Sequence, residues 1–414
     1  MPRDLRIVID ARLEPGKAGG VVQLVLGLAQ GLAGLDGGDQ YRFLVRPGHG
    51  GWLEPHLAGG LRLLEAVRPE APLPPPPFRR RLADAVRRRL APPLEVSEEL
   101  VPPTKGVAEA FGADAVHLPS QQGFTTAIPT MYHPWDLQHV HFPQFFEADD
   151  RRNRDLIYRA LSRQARVVVT ATRWAADDVV ANLGVPRRKV AVIPAASPLT
   201  AYGEPTRADL ERVREAYDLH EAFVLYPAQS WPHKNHLALV DAVALLAHEG
   251  VRIPVVCAGW LNDFFPTIER RVREAGVGDH VVFLRQVPGE DMGALYRLAR
   301  AMVFPSLFEG WGFPILEAFS LGVPLVCSDI PSTREVVGDG AATFDPDSPE
   351  ELARQLRRVW EDEGLRRELV ERGRARNREF SWERTARLCR AHYRRLAGVR
   401  LGAEDRALVA ETAA

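Results

Sequence analysis

Short apolar runs alternate with helical patterns through the C-terminal half of the chain. The runs are rich in Val, Leu, Ile and Phe, which is typical of strands buried in a parallel sheet. The segments between them repeat apolar residues at helical spacing, so the pattern predicts a parallel sheet covered by helices on both faces. The predicted strands lie at 223–226, 254–258, 281–284, 302–304 and 324–327.

The N-terminal half shows the same alternation with wider spacing. A strand is predicted at 7–10, and a helical pattern begins at Gly19-Gly20 and continues to Leu35. The turn lacks the spacing G-x-G-x-x-G, so a dinucleotide-binding fingerprint is not supported. Further strands are predicted at 42–45, 115–118, 130–133, 167–171 and 190–194.

Length and a break in periodicity divide the chain into domains. A chain of 414 residues exceeds what one hydrophobic core normally supports. Residues 194–205 mix Pro, Ser, Ala and Gly with little periodicity, which predicts an interdomain linker. We therefore predict α/β domains at 1–198 and 199–380, followed by a helical segment at 381–414.

A glycine-containing loop joins a predicted strand to a short helix at residues 305–318 (PSLFEGWGFPILEA). Pro314 suits the first helical position, and Gly322 can end the helix in the left-handed conformation. Glu309 then lies in the loop and Glu317 in the first helical turn, close to unpaired N–H groups that can bind a phosphate or sugar hydroxyls. A lone Glu317 could merely complement the helix dipole, but together with Glu309 and the glycines it favours a ligand site.

A lysine occupies a second strand–loop–helix connection at residues 226–236 (YPAQSWPHKNH). Asn235 is the expected N-cap of a helix from His236 to His248. A cation such as Lys234 is unfavourable beside a helix N-terminus unless an anion lies between them. The segment therefore predicts a diphosphate site.

The two glutamates resemble the E-x7-E motif of the retaining glycosyltransferases of family 4. This resemblance implies a GT-B fold, in which two Rossmann-like domains face a central cleft and the last helix returns to the N-terminal domain. It also implies that Glu317 binds ribose hydroxyls, that Glu309 lies beside the donor sugar and that Lys234 stabilises the departing diphosphate. Further segments that resemble the family are 223–235, 324–329, 334–339 and 380–386.

The same resemblance implies a larger set of donor contacts. Backbone N–H groups of the glycine loop would reach the sugar and phosphate, and backbone groups at Val287 would read the base. Gln229 stands where family members often have arginine, so diphosphate contacts would shift to His233 or a neighbouring loop. Gly19-Gly20 is either a tight turn or an entry for donor phosphates. The implied donor-binding residues are Gly20, Gln229, Lys234, Val287, Glu309, Gly310, Trp311, Gly312, Phe313 and Glu317.

Residues 129–139 (PTMYHPWDLQH) resemble the family's strand and H-D-L-x-H segment, with Trp135 where histidine is usual. His133 is a candidate for catalytic sugar or acceptor contact, and Asp136 and His139 are acceptor-side candidates. Each of the three could instead be a structural polar residue.

Composition is that of an ordinary globular protein, with 46% hydrophobic residues, 26% charged residues and a net charge of −1, so nucleic-acid binding is not indicated. Three cysteines without C-x-x-C spacing argue against a disulfide framework or zinc site. The N-terminal apolar run is too short for a signal peptide, so we expect a cytoplasmic protein. Residues 79–90 predict either a solvated surface helix or a basic amphipathic helix that contacts anionic lipid at the inner membrane face or an acidic acceptor.

The sequence and the resemblance together predict a retaining glycosyltransferase. It would move a hexose from a UDP- or GDP-sugar to a hydroxyl of a glycan, a lipid-linked acceptor or a small molecule. The resemblance points to a front-face route in which the leaving diphosphate takes the acceptor's proton. We expect no D-x-D metal motif in the chain, and therefore no catalytic divalent ion, and we expect no cofactor. The alternatives are a nucleotide-sugar epimerase on the same scaffold and a non-catalytic nucleotide-sugar binding protein.

Overall fold

A computed structural model describes residues 3–14, 19–66, 96–104, 106–198 and 204–414. The predicted basic helix at 79–90 lies outside the described residues. The chain divides into two compact units, of which the first comprises Met1–Ala195 and Trp382–Ala414 and the second Ala196–Ser381. The corresponding boundaries were predicted at 198 and 380.

Parallel strands alternate with helices in both units, which confirms the predicted α/β class. The strands are β1 Arg6–Asp10, β2 Gln40–Val45, β3 Leu61–Glu65, β4 Ala115–Leu118, β5 Thr130–Tyr132, β6 Val167–Thr170, β7 Val190–Val192, β8 Val224–Pro227, β9 Val255–Ala258, β10 Val281–Phe283, β11 Ala301–Phe304, β12 Leu325–Ser328 and β13 Ala341–Phe344. The α-helices are α1 Gly20–Ala33, α2 Val107–Ala110, α3 Gln138–His141, α4 Ala148–Gln164, α5 Arg173–Leu183, α6 Arg207–Ala216, α7 His236–His248, α8 Phe265–Glu274, α9 Gly289–Leu298, α10 Phe313–Leu321, α11 Pro331–Val337, α12 Pro349–Glu361, α13 Glu363–Asn377, α14 Trp382–Leu396 and α15 Ala403–Glu411.

The first unit contains a seven-stranded sheet in the order β3-β2-β1-β4-β5-β6-β7. One face of the sheet is covered by α1 and α14, because Leu28, Leu388 and Tyr393 belong to the same buried cluster as the strand residues Ile7 and Met131. The two helices approach closely at Gly27, where an added Cβ would lie 1.9 Å from the Trp382 ring. Glycine is therefore required at this contact.

The second unit contains a six-stranded sheet in the order β10-β9-β8-β11-β12-β13. Chain order reverses direction between β8 and β11, which are neighbours in the sheet. In open α/β sheets, ligands bind at the carboxyl ends of strands next to such a reversal, because the two following helices lie on opposite faces and leave a crevice. The loop of Lys234 follows β8, and the loop of Glu309 follows β11.

All eleven runs predicted as strands are strands in the structure, with ends that differ by a few residues. The prediction missed β3 and β13, which lie at sheet edges. Both are half exposed and carry polar or small residues, so their apolar signal is weak. Within the described part of the chain, no helix is both long enough and apolar enough to span a membrane.

Candidate active site

Lys234 and Glu309 come together at the carboxyl edge of the second sheet. The Lys234 Nζ atom lies 2.5 Å from Glu309 Oε1, and the side chains are only 19% and 12% exposed. The Phe304 ring, at the end of β11, lies 5.6 Å from the ammonium group. The two loops thus place a paired cation and carboxylate at the point where chain order reverses.

Hydrogen bonds hold the Lys234 loop in place. Residues Pro232–Lys234 form a 3₁₀ turn, and the Tyr226 hydroxyl at the end of β8 donates to the Lys234 carbonyl. The Leu307 N–H donates to the His233 carbonyl at 2.8 Å, which joins the loops after β8 and β11. Burial, followed by the nearby negative charge of Glu309, raises the Tyr226 pKa well above its usual value, so this hydroxyl remains a donor.

The glycine loop leads into α10 through Gly312, whose φ of 97° is left-handed and favours glycine. A Cβ at this position would also lie 2.9 Å from Ile315 Cδ1. The helix begins at Phe313, one residue earlier than predicted, and ends at Leu321, where Gly322 follows with a left-handed φ of 69° as predicted. Gly310 is buried in the same loop.

Glu317 is buried within α10, with only 5% of its surface exposed. Its Oε2 atom accepts a hydrogen bond from the hydroxyl of Tyr296, which is fully buried on α9. The prediction that Glu317 lies in the first helical turn was wrong by one position, because Phe313 rather than Pro314 starts the helix. A buried carboxylate with a phenol partner is more than a complement to the helix dipole, since its position is fixed.

Trp311 is buried and packs edge-on against Phe380, with ring centroids 5.3 Å apart. Its indole Nε1 atom has no hydrogen-bond partner among the described residues. A buried N–H donor without a partner carries a desolvation cost, which a bound ligand or water can remove.

The remaining donor-side candidates lie in neighbouring loops. The side-chain oxygen of Gln229 accepts from Trp231 Nε1 at 2.7 Å. Asn235 precedes α7 as predicted, but its side chain does not cap the helix. It donates instead to the Pro346 carbonyl at 2.9 Å, because its left-handed backbone directs the amide elsewhere. Val287 is half-buried in the loop between β10 and α9.

Two segments of the first unit also contain predicted site residues, namely Gly19-Gly20 and the segment with Asp136 and His139. Gly19 has φ 51°, Gly20 begins α1, and both are exposed. Asp136 Oδ1 accepts weakly from the Gln138 N–H at 3.3 Å. His139 is buried on α3, with its ring edge-on to Tyr158 at 5.0 Å and its Nε2 atom without a partner among the described residues.

His133 follows β5 and is 5% exposed. Its Nε2 atom lies 2.8 Å from Nε2 of His117 on β4, and His117 Nδ1 lies 2.6 Å from the Tyr393 hydroxyl on α14. Burial lowers the pKa of His117 to about 3, and burial together with the neighbouring His117 lowers the pKa of His133 well below its usual value. Both imidazoles are therefore neutral near pH 7.

Sequence reasoning missed the partners that hold these side chains, namely Tyr296, His117 and Tyr393. The structure shows the relation to His117, because the β4–β5 register pairs His117 with Met131, two residues before His133. Residues two apart on a strand share a face, so the two histidines fall on the same side of the sheet. Nothing in the sequence near Tyr296 or Tyr393 indicates which residue each hydroxyl contacts.

Two family models match the chain, and both describe glycosyltransferases. The model of glycosyl transferases group 1 matches residues 208–376, and the model of a glycosyl transferase 4-like domain matches residues 19–196. The matched ranges correspond to the second unit and to most of the first.

Among curated proteins, the chain is 30% identical over 260 residues to O-antigen chain mannosyltransferase B of Escherichia coli, covering 61% of this chain and 66% of the relative. It is 31% identical over 245 residues to the serotype-specific mannosyltransferase WbdA of Escherichia coli, covering 58% of this chain and 29% of WbdA. It is also 29% identical over 241 residues to a D-inositol 3-phosphate glycosyltransferase of Salinispora tropica, covering 54% of this chain and 50% of the relative. The matches thus span 66% or less of these relatives' own lengths.

Solved structures show the same fold. HepE of Anabaena, in complex with UDP and glucose, superimposes with a TM-score of 0.69 at 18% identity, covering 94% of this chain and 99% of HepE. Sucrose-phosphate synthase of Thermosynechococcus elongatus gives a TM-score of 0.68 at 21% identity, covering 96% of this chain and all of that chain (100%). At such identities the likeness establishes the fold, and it confirms the predicted class.

Proposed function

Because the chain belongs to the glycosyl transferases of group 1, a family with the GT-B fold, we propose that it transfers a hexose from a UDP- or GDP-sugar to an acceptor hydroxyl. Mannose is the first sugar to test, since relatives from Escherichia coli are named mannosyltransferases. The acceptor class we propose is a growing glycan, with lipid-linked and small-molecule acceptors such as inositol phosphates as the next choices.

The observation that carries this proposal is the Lys234–Glu309 pair beside the N-terminus of α10. A diphosphate needs positive charge and N–H donors, and this edge of the sheet offers both. Glu309 keeps the ammonium in place before the donor arrives. Once the donor is bound, Lys234 is shared between Glu309 and the phosphate oxygens.

Lys234 would act most strongly as the sugar–phosphate bond breaks, because negative charge then develops on the leaving diphosphate. A preorganised cation in a partly buried site stabilises that charge without reorganisation. In the front-face route that we propose, a phosphate oxygen takes the acceptor's proton as the hydroxyl attacks, and no metal ion takes part. Configuration at the sugar carbon is then retained.

Glu317 would bind the donor's ribose. An ionised carboxylate has several acceptor lone pairs, so Glu317 can accept from ribose hydroxyls while it keeps the Tyr296 contact through Oε2. Trp311 and the backbone N–H groups of Gly312 and Phe313 would contact the sugar and phosphate. These assignments make the glycine loop the centre of the donor site.

The decisive experiment measures nucleoside diphosphate release by the full chain. GDP-mannose and UDP-glucose are each supplied with and without a mannose-containing oligosaccharide, a lipid-linked glycan or an inositol phosphate. Thermal stabilisation by GDP against UDP first identifies the base, since a ligand that binds only the folded state raises its apparent stability.

Release that depends on an acceptor, with a glycoside product of retained configuration, supports the proposal. Formation of an epimeric nucleotide sugar without acceptor would instead establish the epimerase. Binding of the nucleotide sugar without any turnover would establish a binding protein.

A further inference from the structure

Three buried groups form a continuous hydrogen-bonded chain in the first unit. The Tyr393 hydroxyl contacts His117 Nδ1 at 2.6 Å, and His117 Nε2 contacts His133 Nε2 at 2.8 Å. Tyr393 and His117 are fully buried, and His133 retains 5% exposure. The three residues lie on α14, on β4 and directly after β5.

The sequence places Tyr393 far from both histidines, at 276 residues from His117. The contact forms because α14 packs on the face of the first sheet to which Ala115 and Met131 contribute. His117 follows Ala115 by two residues, and His133 follows Met131 by two residues. Residues two apart in an extended strand share a face, so both histidines lie on the face that α14 covers.

Only two arrangements of the protons satisfy the hydrogen bonds that join Tyr393, His117 and His133. Each neutral imidazole carries one N–H, and of the two facing Nε2 atoms one must donate while the other accepts. If the phenol donates to His117 Nδ1, then His117 donates from Nε2 and the proton of His133 lies on Nδ1. If the phenol accepts, all three assignments reverse and His133 presents an unprotonated Nδ1.

The length of the first contact favours the first arrangement. A separation of 2.6 Å is shorter than the usual N–H···O range, about 2.7 to 3.2 Å, whereas hydroxyl donors make the shorter hydrogen bonds in proteins. We therefore assign the phenol as the donor to His117 Nδ1.

The other ring nitrogen of His133 makes no hydrogen bond within the described part of the chain, although the ring is not fully closed off from solvent. We propose that Tyr393 and His117 are positioning residues that fix His133 as a neutral imidazole with its proton on Nδ1, so that His133 donates a hydrogen bond to an oxygen of a bound sugar. His133 therefore does not act as the base that takes the acceptor's proton. The identity of the ligand as a sugar rests on the proposed function, whereas the proton arrangement does not.

The proton arrangement is tested without turnover. Histidine labelled with ¹⁵N is introduced into the full chain, and two-bond ¹H–¹⁵N correlation spectra are recorded at pH 7.5. Signals are assigned by their loss in His133→Gln and His117→Gln. We expect His133 protonated on Nδ1 and His117 on Nε2. An Nε2 proton on His133, or a doubly protonated His133 ring, would overturn the proposal.

Tyr393→Phe removes the first donor, and Tyr41→Phe is its matched control. The Tyr41 ring lies 6.3 Å from that of Tyr393 in the same buried cluster but outside the hydrogen-bonded chain. We expect Tyr393→Phe to give His133 a mixture of tautomers and to lower kcat/KM for transfer about tenfold, while nucleoside diphosphate affinity by calorimetry is unchanged. Tyr41→Phe should leave the tautomer and the kinetics as in the wild type. Equal behaviour of the two variants would refute the positioning role.

Rescue separates positioning from packing. In His117→Gln, the amide N–H can donate to His133 Nε2 while the amide oxygen accepts from Tyr393, so the His133 tautomer and most activity should be kept. In His117→Leu both contacts are lost, and the tautomer preference should disappear with them.

If the tautomers are as expected but no glycosyl transfer is found, the proposed function fails and the proton arrangement stands. If transfer is found but His133 carries its proton on Nε2, the proposed function stands and the proton arrangement fails.

Discussion

The ammonium group of Lys234 lies 2.5 Å from Glu309 Oε1 across two loops that follow neighbouring strands. Both side chains are largely buried, so each charge depends on the other for compensation. A residue expected to stabilise a ligand's charge therefore also stabilises the ligand-free protein. The two roles can be separated by substitution.

Lys234→Ala should lower both donor affinity and kcat, with a loss in kcat on the order of 10² because a preorganised cation is removed from the developing charge. It should also lower the melting temperature, since Glu309 remains largely buried without a partner. Because both side chains keep some exposure, we expect a loss of about 1 to 3 kcal/mol in the free energy of unfolding, the cost of a buried polar group left without its partner. Steady-state kinetics, calorimetry and thermal denaturation check these effects.

The double variant Lys234→Met/Glu309→Gln is the control. It removes both charges at similar volume, so it should recover most of the lost stability while donor affinity stays low. Wild-type kcat and donor affinity in folded Lys234→Ala would reject the phosphate role and favour the binding-protein alternative.

Glu317→Gln should weaken binding of the nucleoside diphosphate by about 1.5 to 3 kcal/mol, because a charge-assisted acceptor becomes a neutral one. Tyr296→Phe should weaken it by a smaller amount, about 0.5 to 1.5 kcal/mol, since the carboxylate remains but loses the hydroxyl that orients it. Calorimetric titration measures both. Tyr217→Phe, which removes a hydroxyl bonded to Asp291 at 2.8 Å, is the matched control and should bind as the wild type does. Undiminished affinity in Glu317→Gln would remove the ribose assignment.

Gly312→Ala should destabilise the glycine loop. Alanine at φ 97° is strained by about 1 to 3 kcal/mol, and its Cβ would meet Ile315. The substitution should also displace the N-terminus of α10. Nucleotide binding should therefore weaken by more than the increased fraction of unfolded protein accounts for. Gly278→Ala is the control, because its added Cβ meets no atom within 4 Å and no left-handed φ is required there. Chemical denaturation and calorimetry on both variants test this, and equal nucleotide affinities would argue against a ligand at the loop.

Chelation by EDTA should leave glycosyl transfer intact if Lys234 and the helix N-terminus neutralise the diphosphate.

The prediction that the chain carries no D-x-D motif was wrong, because Asp345-Pro346-Asp347 has this spacing. Asp345 Oδ1 accepts from the Asp347 N–H at 3.0 Å, so this carboxylate is used in its own turn. The turn nevertheless joins the Lys234 loop through Asn235. Activity that EDTA abolishes and manganese restores would show that transfer needs a metal ion and would contradict the metal-free route.

Acidification should destabilise the first unit through His139. Burial lowers its pKa to about 4, against about 6.5 in an unfolded chain. Between these values the unfolded state binds the proton and the folded state does not, so stability is complete above about pH 6.5 and falls as the pH drops toward 4. His139→Phe should reduce the loss of melting temperature between pH 7 and pH 4.5, whereas the exposed His220→Gln should not. If the melting temperature of His139→Phe falls between pH 7 and pH 4.5 as much as that of the wild type, other groups cause most of the acid destabilisation.

The sequence by itself determined the α/β class, most strands and the two loops that carry Lys234 and Glu309. Buried parallel strands carry a strong local signal, because both of their faces are covered and nearly every residue is apolar. The glycine loop was predicted equally well from the sequence. Gly312 and Gly322 adopt a left-handed backbone conformation that few other residue types adopt. The half-exposed edge strands β3 and β13 lack such a signal, and both were missed.

Tertiary structure alone decided which side chains meet. Lys234 and Glu309 are 75 residues apart and pair because β8 and β11 are neighbours in the sheet, a fact of strand order that local patterns do not encode. Tyr393 reaches His117 because α14 packs on the first sheet, and Tyr296 reaches Glu317 because α9 packs beside α10. Local sequence fixes backbone conformation through short-range sterics and hydrogen bonds, whereas the partner of a buried polar group depends on which distant elements cover it.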